Sequence, residues 1–179
     1  LIIGDDNHFR ENMNISRGSA DGKMTHIGNH NYFMSLTHVA HDCVFGDNNI
    51  MTQSAIIAGL CHVGSHCFIS GLVAIHQFVH IGDYAMVAGL AKIVKDVPPY
   101  ATVDGNPATV IGTNVIAMRR AGFDQETRSA VKRAYKTIYH SGLGLGQALE
   151  KLEAEPQTSE VENIIRFFKE SRRGVTAHR

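Results

Sequence analysis

Hydrophobic side chains recur at every sixth position through much of the first half of the chain. The series runs unbroken through Ile27, Phe33, Val39, Phe45, Met51, Ile57, Val63, Ile69, Ile75, Ile81, Val87 and Ile93. An α-helix repeats its buried face at about 3.6 residues and a simple strand at about 2, so neither explains this period. A hexapeptide period is typical of a chain that winds in triangular coils, with three short strands per turn. The pattern predicts a mainly β fold, a parallel β-helix.

The repeat sets the limits of this β-helix. Ile3, Phe9 and Ile15 keep the same phase, whereas the polar and glycine-rich residues 16–26 interrupt it. We expect this interruption to be a loop at a coil corner, where such loops often border a site. Pro98 and Pro99 cannot donate to a ladder and are predicted to end the solenoid. The sequence therefore predicts a β-helix over residues 1–98.

A different pattern follows. Residues 99–123, with Gly105, Asn106 and Pro107, are predicted to be a linker and a first cap segment. Residues 124–179 have a helical period and are predicted to form a small α-helical C-terminal domain. Asp124 is the expected N-cap of its first helix, and Ser159 with Glu162 suggests a capping box at its last. The apolar stripe of the first helix is Ala130, Val131, Ala134, Tyr135 and Ile138.

Charge and composition narrow the function classes. The formal net charge is zero, which argues against nucleic acid as the main partner. The charge is unevenly distributed, with 5 Lys/Arg against 8 Asp/Glu in residues 1–98 and 12 against 9 in residues 99–179. A basic C-terminal part suits an acidic partner or a phosphate-bearing ligand. No apolar run is long enough to span a membrane, so no transmembrane segment is predicted.

The cysteines indicate the redox environment of the protein, and the first residue bears on whether the chain is a fragment. Cys43, Cys61 and Cys67 form no CxxC pair, and an odd count without a disulfide framework favours the reducing cytoplasm. We interpret them as buried small hydrophobic residues. The chain starts at Leu1 in the middle of the pattern, and we expect it to be a fragment of a longer solenoid that lacks N-terminal coils.

The eighteen-residue coil places one group of polar residues in a column. Residues i and i+18 stack at the strand spacing of about 4.8 Å, so His41, Gly59 and Gln77 share a column, with His76 beside it. An imidazole can take a proton from a hydroxyl at neutral pH, and Asp42 next to His41 can fix its tautomer. The Gly59 N–H can stabilise an oxyanion. The column suits acyl transfer from a thioester to a sugar hydroxyl, although a lone turn histidine is more often a solvated polar residue.

The other histidines do not predict a metal centre. His62 and His80 stack by the same spacing, and a second column contains His30, Asn48, His66 and Tyr84. A zinc site needs three or four converging ligands. Trimeric hexapeptide metalloenzymes use one pair of histidines five residues apart, and this chain has no such pair. We interpret these histidines as solvated, with no metal.

Several motifs make the sequence resemble a known family. They are His38-Val-Ala-His41-Asp42, Ala58-Gly59, Ile75-His76-Gln77-Phe78, Asp96-Val-Pro98-Pro99-Tyr100, Gly105-Asn106-Pro107-Ala108 and Asn114 through Arg119-Arg120-Ala-Gly122-Phe123. In this order and spacing they resemble the UDP-N-acetylglucosamine O-acyltransferases, which begin lipid A synthesis in Gram-negative bacteria. The resemblance covers essentially the whole chain.

The resemblance implies a left-handed parallel β-helix, a homotrimer and active sites in clefts between subunits. It implies transfer of a 3-hydroxyacyl group from acyl carrier protein, which is acidic, to the 3-hydroxyl of UDP-N-acetylglucosamine. The only prosthetic group implied is the phosphopantetheine of that carrier, so no cofactor is expected. The location implied is cytoplasmic.

The resemblance also assigns roles to residues. His41 matches the general base, Asp42 the residue that orients it, and Gly59 the N–H donor to the thioester carbonyl. His38, His76 and Gln77 match residues that line the substrate cleft, and Asn114 and Arg120 match contacts to the nucleotide. Gly89 matches a position that limits acyl length, where a small residue favours a longer chain. These roles are carried over residue by residue.

The sequence departs from the family at one position and leaves alternatives open. The family often has a substrate-contacting histidine where this chain has Leu60, and His62 lies in another column. Family residues that hold the glucosamine lie on coils N-terminal to this chain. The alternatives are the sister N-acyltransferase, which acylates the 2-amino group of the monoacylated sugar, and a non-catalytic trimeric scaffold that binds carrier protein. The acyl length and a 3-hydroxyl or 3-amino acceptor stay open.

Overall fold

The computed structural model describes residues 1–179 and shows a solenoid followed by helices. Fifteen strands of two residues each build the coils, three strands to a turn. They are β1 (Ile2–Ile3), β2 (His8–Phe9), β3 (Asn14–Ile15), β4 (His26–Ile27), β5 (Tyr32–Phe33), β6 (His38–Val39), β7 (Val44–Phe45), β8 (Ile50–Met51), β9 (Ile56–Ile57), β10 (His62–Val63), β11 (Phe68–Ile69), β12 (Ala74–Ile75), β13 (His80–Ile81), β14 (Met86–Val87) and β15 (Lys92–Ile93).

These strands form three parallel sheets, the three faces of a triangular prism. The orders are β1-β4-β7-β10-β13 in sheet A, β2-β5-β8-β11-β14 in sheet B and β3-β6-β9-β12-β15 in sheet C. Each strand pairs with the strand one coil further on, as in Val63↔Ile81, where the partners lie eighteen residues apart. The predicted parallel β-helix is confirmed.

The hexapeptide series forms the core of this prism. Every member from Ile27 to Ile93 is buried, with no side chain more than 3% exposed. Nearly every corner turns through one residue with a positive φ near 60°, three positions after an inward residue, and none of these residues is glycine. Asp42, with a φ of 60°, is one of them. The corner geometry therefore directs side chains such as His41 and Asp42 away from the core.

The predicted loop leaves the coil at one corner. Ile15 pairs with Val39, twenty-four residues on, whereas Val39 pairs with Ile57 eighteen residues on. Six extra residues therefore lie between β3 and β4 without disturbing the phase of the repeat. The expectation that residues 16–26 interrupt a corner is confirmed, except that His26 already belongs to β4.

The expectation that the solenoid ends at Pro98 and Pro99 is wrong. Two further strands, β16 (Ala101–Gly105) and β17 (Ala108–Thr113), extend sheet B beyond them. The prolines occupy a corner, where no ladder hydrogen bond is needed, and pairing resumes as Met86↔Thr102. Residues 99–123, expected to be a linker and a first cap segment, thus contain an antiparallel β-hairpin at the end of sheet B.

Four helices follow the hairpin. They are α1 (Val115–Arg120), α2 (Gln125–His140), α3 (Leu145–Glu153) and α4 (Ser159–Glu170). Asp124 caps α2 as expected, since its side chain accepts from the Thr127 N–H at 2.7 Å. The capping box at Ser159 is wrong, because Thr158 is the N-cap of α4 and makes no side-chain cap hydrogen bond. The predicted stripe of α2 is buried and joins the core of the solenoid.

The last nine residues return from α4 to the solenoid. Asp96 is the anchor: its N–H donates to the Gly174 carbonyl at 3.0 Å, and its carbonyl accepts from the Thr176 N–H at 2.8 Å. The Ser171 hydroxyl donates to the buried Asp96 carboxylate at 2.6 Å. This C-terminal tail, residues 171–179, therefore lies against the corner that follows sheet C.

Candidate active site

The predicted column lies at the corner that follows sheet C. The Leu60 N–H donates to the His41 carbonyl at 3.0 Å and the Phe78 N–H to the Gly59 carbonyl at 3.2 Å, so His41, Gly59 and Gln77 stack coil on coil. A Cβ on Gly59 would lie 2.6 Å from Cε1 and Nε2 of His41. Only glycine therefore lets the imidazole lie against the next coil. The Gly59 N–H donates to no acceptor within the chain.

His41 and Asp42 form a hydrogen-bonded pair. The Nδ1 of His41 lies 2.9 Å from Oδ2 of Asp42. The imidazole is 42% exposed and the carboxylate 5%. Since an ionised carboxylate only accepts hydrogen bonds, the neutral imidazole carries its proton on Nδ1 and its lone pair on Nε2. The imidazole of His41 is therefore accessible to solvent, whereas the carboxylate of Asp42 is shielded from solvent.

The loop predicted to border a site supplies two further partners of Asp42. The Ser19 hydroxyl donates to Oδ2 at 2.5 Å and the Ser19 N–H to Oδ1 at 3.1 Å. The Asp42 N–H donates to the Thr25 hydroxyl at 2.8 Å. The hydrogen bonds from Ser19, followed by that with His41, lower the pKa of Asp42 to about 2. Neither Ser19 nor Thr25 was identified from the sequence, although the broken repeat marked their loop.

His38 precedes the column on the outward side of β6. Its Nδ1 lies 2.9 Å from Oδ1 of Asn14 on the neighbouring strand. His38 is half-buried and shares sheet C with the start of the His41 corner. The structure therefore places His38 at the same edge as His41.

His76 and Gln77 continue the column two coils further along. His76 is exposed, and its Nδ1 lies 2.9 Å from the Arg173 guanidinium and 3.1 Å from the Gln77 carbonyl. The Arg173 Nε also donates to the Val94 carbonyl at 2.9 Å. Arg173 belongs to the C-terminal tail and was not identified from the sequence, because nothing in the repeat predicts where that tail returns.

Leu60 occupies the position where the family often has histidine. It lies at the same corner as Asp42, one coil further along the chain. It is half-buried with a φ of 61°. His62 projects outward from sheet A, so it does not occupy the position of the missing imidazole. No histidine of the described chain replaces that contact at this coil.

Gly89 lies at a different corner, the one that follows sheet B. A Cβ there would meet its nearest atom, the Gly71 carbonyl oxygen, at an ordinary 3.5 Å. The backbone therefore does not require glycine at this exposed position.

Asn114 and Arg120 line one groove of about 650 Å³ between sheet B and α1. Arg120 is exposed, whereas Asn114 is buried and caps α1 through Oδ1, which accepts from the Ala117 N–H at 3.1 Å. Its Nδ2 donates to the Tyr84 carbonyl at 2.8 Å. Both polar ends of Asn114 thus have structural partners, and Arg120 is the freer of the two for a ligand. Within one chain this groove lies on another face than His41.

The remaining histidines and the cysteines were interpreted from the sequence as solvated and as buried, respectively. The rings of His62 and His80 meet edge to face, with Nδ1 of His62 3.4 Å from Nε2 of His80. No group of three or more ligating side chains that could hold a metal ion is found. His66 stacks on Tyr84 with ring centroids 4.6 Å apart. All three cysteines are free and buried, as expected.

None of the helices has the length and apolarity needed to cross a bilayer.

The comparisons with known proteins point to one family. Residues 96–176 match the model of the family described as UDP N-acetylglucosamine O-acyltransferase, domain 2. Two curated relatives, both called acyl-[acyl-carrier-protein]--UDP-N-acetylglucosamine O-acyltransferase, are 44% identical to the chain. The one from Gloeothece citriformis aligns with 94% of this chain and 61% of its own length, and the one from an Anaeromyxobacter species with 98% and 69%. The chain therefore spans under two thirds of the first relative and slightly more of the second.

Solved structures agree with this. A UDP-N-acetylglucosamine acyltransferase from Campylobacter jejuni superposes with a TM-score of 0.94 at 32% identity, over 99% of this chain and 71% of the other. A UDP-N-acetylglucosamine O-acyltransferase from Moraxella catarrhalis superposes with a TM-score of 0.89 at 40% identity, over 97% and 68%. Sequence and structure thus point the same way.

The lowered pKa of Asp42 predicts a pH-dependent contribution to stability. Its folded value of about 2 lies below the ordinary value of 3.8, so the ionised carboxylate stabilises the fold at pH values above about 4 and the contribution is lost as the pH falls toward 2. We expect the difference in unfolding free energy between the wild type and Asp42→Asn to shrink as the pH falls from about 4 toward 2. Urea titrations at a series of pH values measure it. A difference that stays constant down to pH 2 would contradict the prediction.

Proposed function

Because the chain belongs to the UDP-N-acetylglucosamine O-acyltransferase family, we propose that it transfers a 3-hydroxyacyl group from acyl carrier protein to the 3-hydroxyl of UDP-N-acetylglucosamine. This reaction begins lipid A synthesis. The observation that carries the proposal is the packing of the His41 imidazole between the buried Asp42 carboxylate and the Gly59 backbone. The proposal includes no metal and no cofactor other than the phosphopantetheine that carries the acyl group.

His41 acts as the general base. Its Nε2 takes the proton of the sugar 3-hydroxyl, and the oxygen attacks the thioester carbonyl carbon. Asp42 keeps Nδ1 protonated and stabilises the imidazolium that forms. The carbon–sulfur bond then breaks, and the imidazolium returns the proton to the departing thiolate. Atoms and charge therefore balance without another reactant.

Gly59 supplies the oxyanion donor. Its N–H has no acceptor within the chain and lies beside the base. A preorganised N–H aimed at the developing oxyanion stabilises the transition state more than the ground state. His38, His76 and Gln77 lie along the same edge and form the wall of the cleft, and Arg120 is proposed to contact the nucleotide.

Removing the base tests the proposed mechanism. We expect His41→Ala to lower kcat by about 10²–10⁴-fold, the usual contribution of a general base. The assay incubates the protein with UDP-N-acetylglucosamine and a panel of 3-hydroxyacyl carrier proteins and follows the sugar by mass spectrometry. His62→Ala, an exposed histidine on sheet A, is the matched control and should leave kcat unchanged.

Two outcomes would count against the proposal. Near-normal turnover of His41→Ala would remove His41 from the role of base. Acylation of the 2-amino group of the monoacylated sugar, with no product from UDP-N-acetylglucosamine, would assign the chain to the N-acyltransferase reaction. The mass of the product also gives the acyl length.

We propose that acyl carrier protein docks on a basic groove formed mainly by α2. Lys132, Arg133 and Lys136 line a cavity of about 480 Å³ together with His140 and His178, and no carboxylate lines it. A single-sign surface of this kind attracts an acidic partner and speeds its association. Three of the twelve Lys/Arg residues in 99–179 thus lie together in one groove.

Reversing the charge of this groove should weaken the binding of acyl carrier protein and leave the catalytic step unchanged. We expect Lys132→Glu with Lys136→Glu to raise KM for the acyl carrier protein about tenfold or more at low salt, with little change in kcat. A small 3-hydroxyacyl pantetheine donor should be unaffected, because it lacks the carrier surface. Lys151→Glu, exposed on α3, is the control. An equal loss with both donors would contradict docking at this groove.

We propose that the chain assembles as a homotrimer. Leu72 and Leu90 are 60% and 70% exposed at the corner after sheet B, and Ile50 and Phe68 beside them are also exposed. Burying such contiguous apolar surface stabilises an interface by about 25 cal/mol per Å². The occupant is a second copy, because Gly89 and Arg120 lie away from His41 in one chain and a neighbouring subunit can bring them to it.

A charge at this corner should separate the subunits. We expect Leu72→Glu to shift the sedimentation coefficient toward that of a monomer and to abolish turnover together with the trimer. Leu143→Glu, 39% exposed in the helical domain, should stay trimeric. A wild-type protein that sediments as a monomer would overturn the proposal.

A further inference from the structure

The inserted loop is the one place where the solenoid departs from its repeat beside the proposed base. The pairing register is twenty-four residues across the loop, as in Asn14↔His38, and eighteen everywhere else along the fifteen coil strands. The insertion leaves the corner at which His41 and Asp42 lie, one coil before them. A regular repeat would need none of these residues to maintain its core.

The loop is folded tightly onto itself just before Ser19. A Cβ on Gly18 would lie 2.8 Å from the Met24 nitrogen and closer still to the Lys23 carbonyl. The Thr25 hydroxyl holds the Asp42 N–H at the end of the same loop. Both ends of the loop are thus attached to one aspartate.

Ser19 engages both oxygens of that aspartate. Its hydroxyl donates to Oδ2 at 2.5 Å, the oxygen that also faces His41, and its N–H donates to Oδ1 at 3.1 Å. A carboxylate held by His41 alone could rotate about its Cβ–Cγ bond, whose torsion is broad. Two donors on different oxygens of one carboxylate remove that freedom. The orientation of the Asp42 carboxylate therefore depends on Ser19.

We propose that Ser19 is a positioning residue for acyl transfer: it fixes the Asp42 carboxylate so that His41 presents Nε2 to the sugar hydroxyl. This inference rests on the proposed function. It extends the base and its orienting carboxylate by a third member that lies twenty-three residues away in the chain, on an exposed loop. The hydrogen bond from Ser19 is also the largest cause of the lowered pKa of Asp42.

The test compares Ser19→Ala with the conservative Ser19→Thr and with Asp21→Ala, an exposed loop residue that makes no hydrogen bond. We expect Ser19→Ala to lower kcat about tenfold or more, as for loss of one hydrogen bond to a charged group. KM for both substrates should change less than about twofold, since the hydroxyl and the N–H of Ser19 are both donated to Asp42. Ser19→Thr keeps the hydroxyl and should recover most of kcat, and Asp21→Ala should resemble the wild type.

An NMR measurement on the same proteins does not depend on turnover. The proton on Nδ1 of His41, hydrogen-bonded to the carboxylate, should give a downfield resonance in the wild type, Ser19→Thr and Asp21→Ala. In Ser19→Ala this resonance should shift upfield or broaden. The wild type could transfer no acyl group while the resonance still responds in this way. This result would contradict the proposed function but would support the positioning of His41 by Ser19.

Two results would overturn the proposal itself. One is Ser19→Ala with wild-type kcat and an unmoved resonance. The other is an equal loss in Ser19→Ala, Ser19→Thr and Asp21→Ala, with KM rising in step, because this would mean that the loop is needed only for its fold.

Discussion

Inward packing at every sixth position fixes the register of all three sheets, and the rest of the molecule depends on that register. A shift by one residue would expose the inward series and bury the outward one, so the ladders cannot slip. The spacing of eighteen residues then determines which side chains stack at each corner. His41 reaches Gly59 because the core places them one coil apart. The geometry of the proposed base is thus a consequence of core packing at a distance from it.

Departures from the repeat supply what regular coils cannot. A perfect coil offers each corner only its own residues and those stacked above and below. The inserted loop brings Ser19 to Asp42, and the C-terminal tail brings Arg173 to His76 from ninety-seven residues away. Both segments are anchored to aspartates of a single column, since Asp42 and Asp96 lie three coils apart at the same corner position. Irregular segments therefore converge on the edge that carries the proposed chemistry.

The sequence predicted those parts of the fold and site that follow from periodicity. The hexapeptide series identified the core, the three-strand coil and the column of His41, Gly59 and Gln77. It could not predict Ser19 or Arg173, because no local rule states where an irregular segment returns in space. The prediction that the solenoid ends at Pro98 and Pro99 was wrong for a related reason. A proline prevents a ladder hydrogen bond only at its own position, and these two positions are at a corner. Asn114 was assigned from resemblance, whereas its role in capping α1 depends on the fold around it.

The division of exposure between His41 and Asp42 links this architecture to the proposed chemistry. The imidazole, 42% exposed, can meet a substrate hydroxyl, and the carboxylate, 5% exposed, cannot. Burial alone would raise the pKa of a carboxyl group and favour its neutral form. Donation from Ser19 and His41 outweighs that effect and lowers the pKa of Asp42 to about 2. The carboxylate therefore keeps its charge at any pH at which an imidazole can act as a base, so that proton transfer changes the charge of one group only. A base with a fixed counter-charge and a fixed tautomer needs little reorganisation when it accepts a proton, and this is the condition under which preorganised electrostatics lowers a barrier.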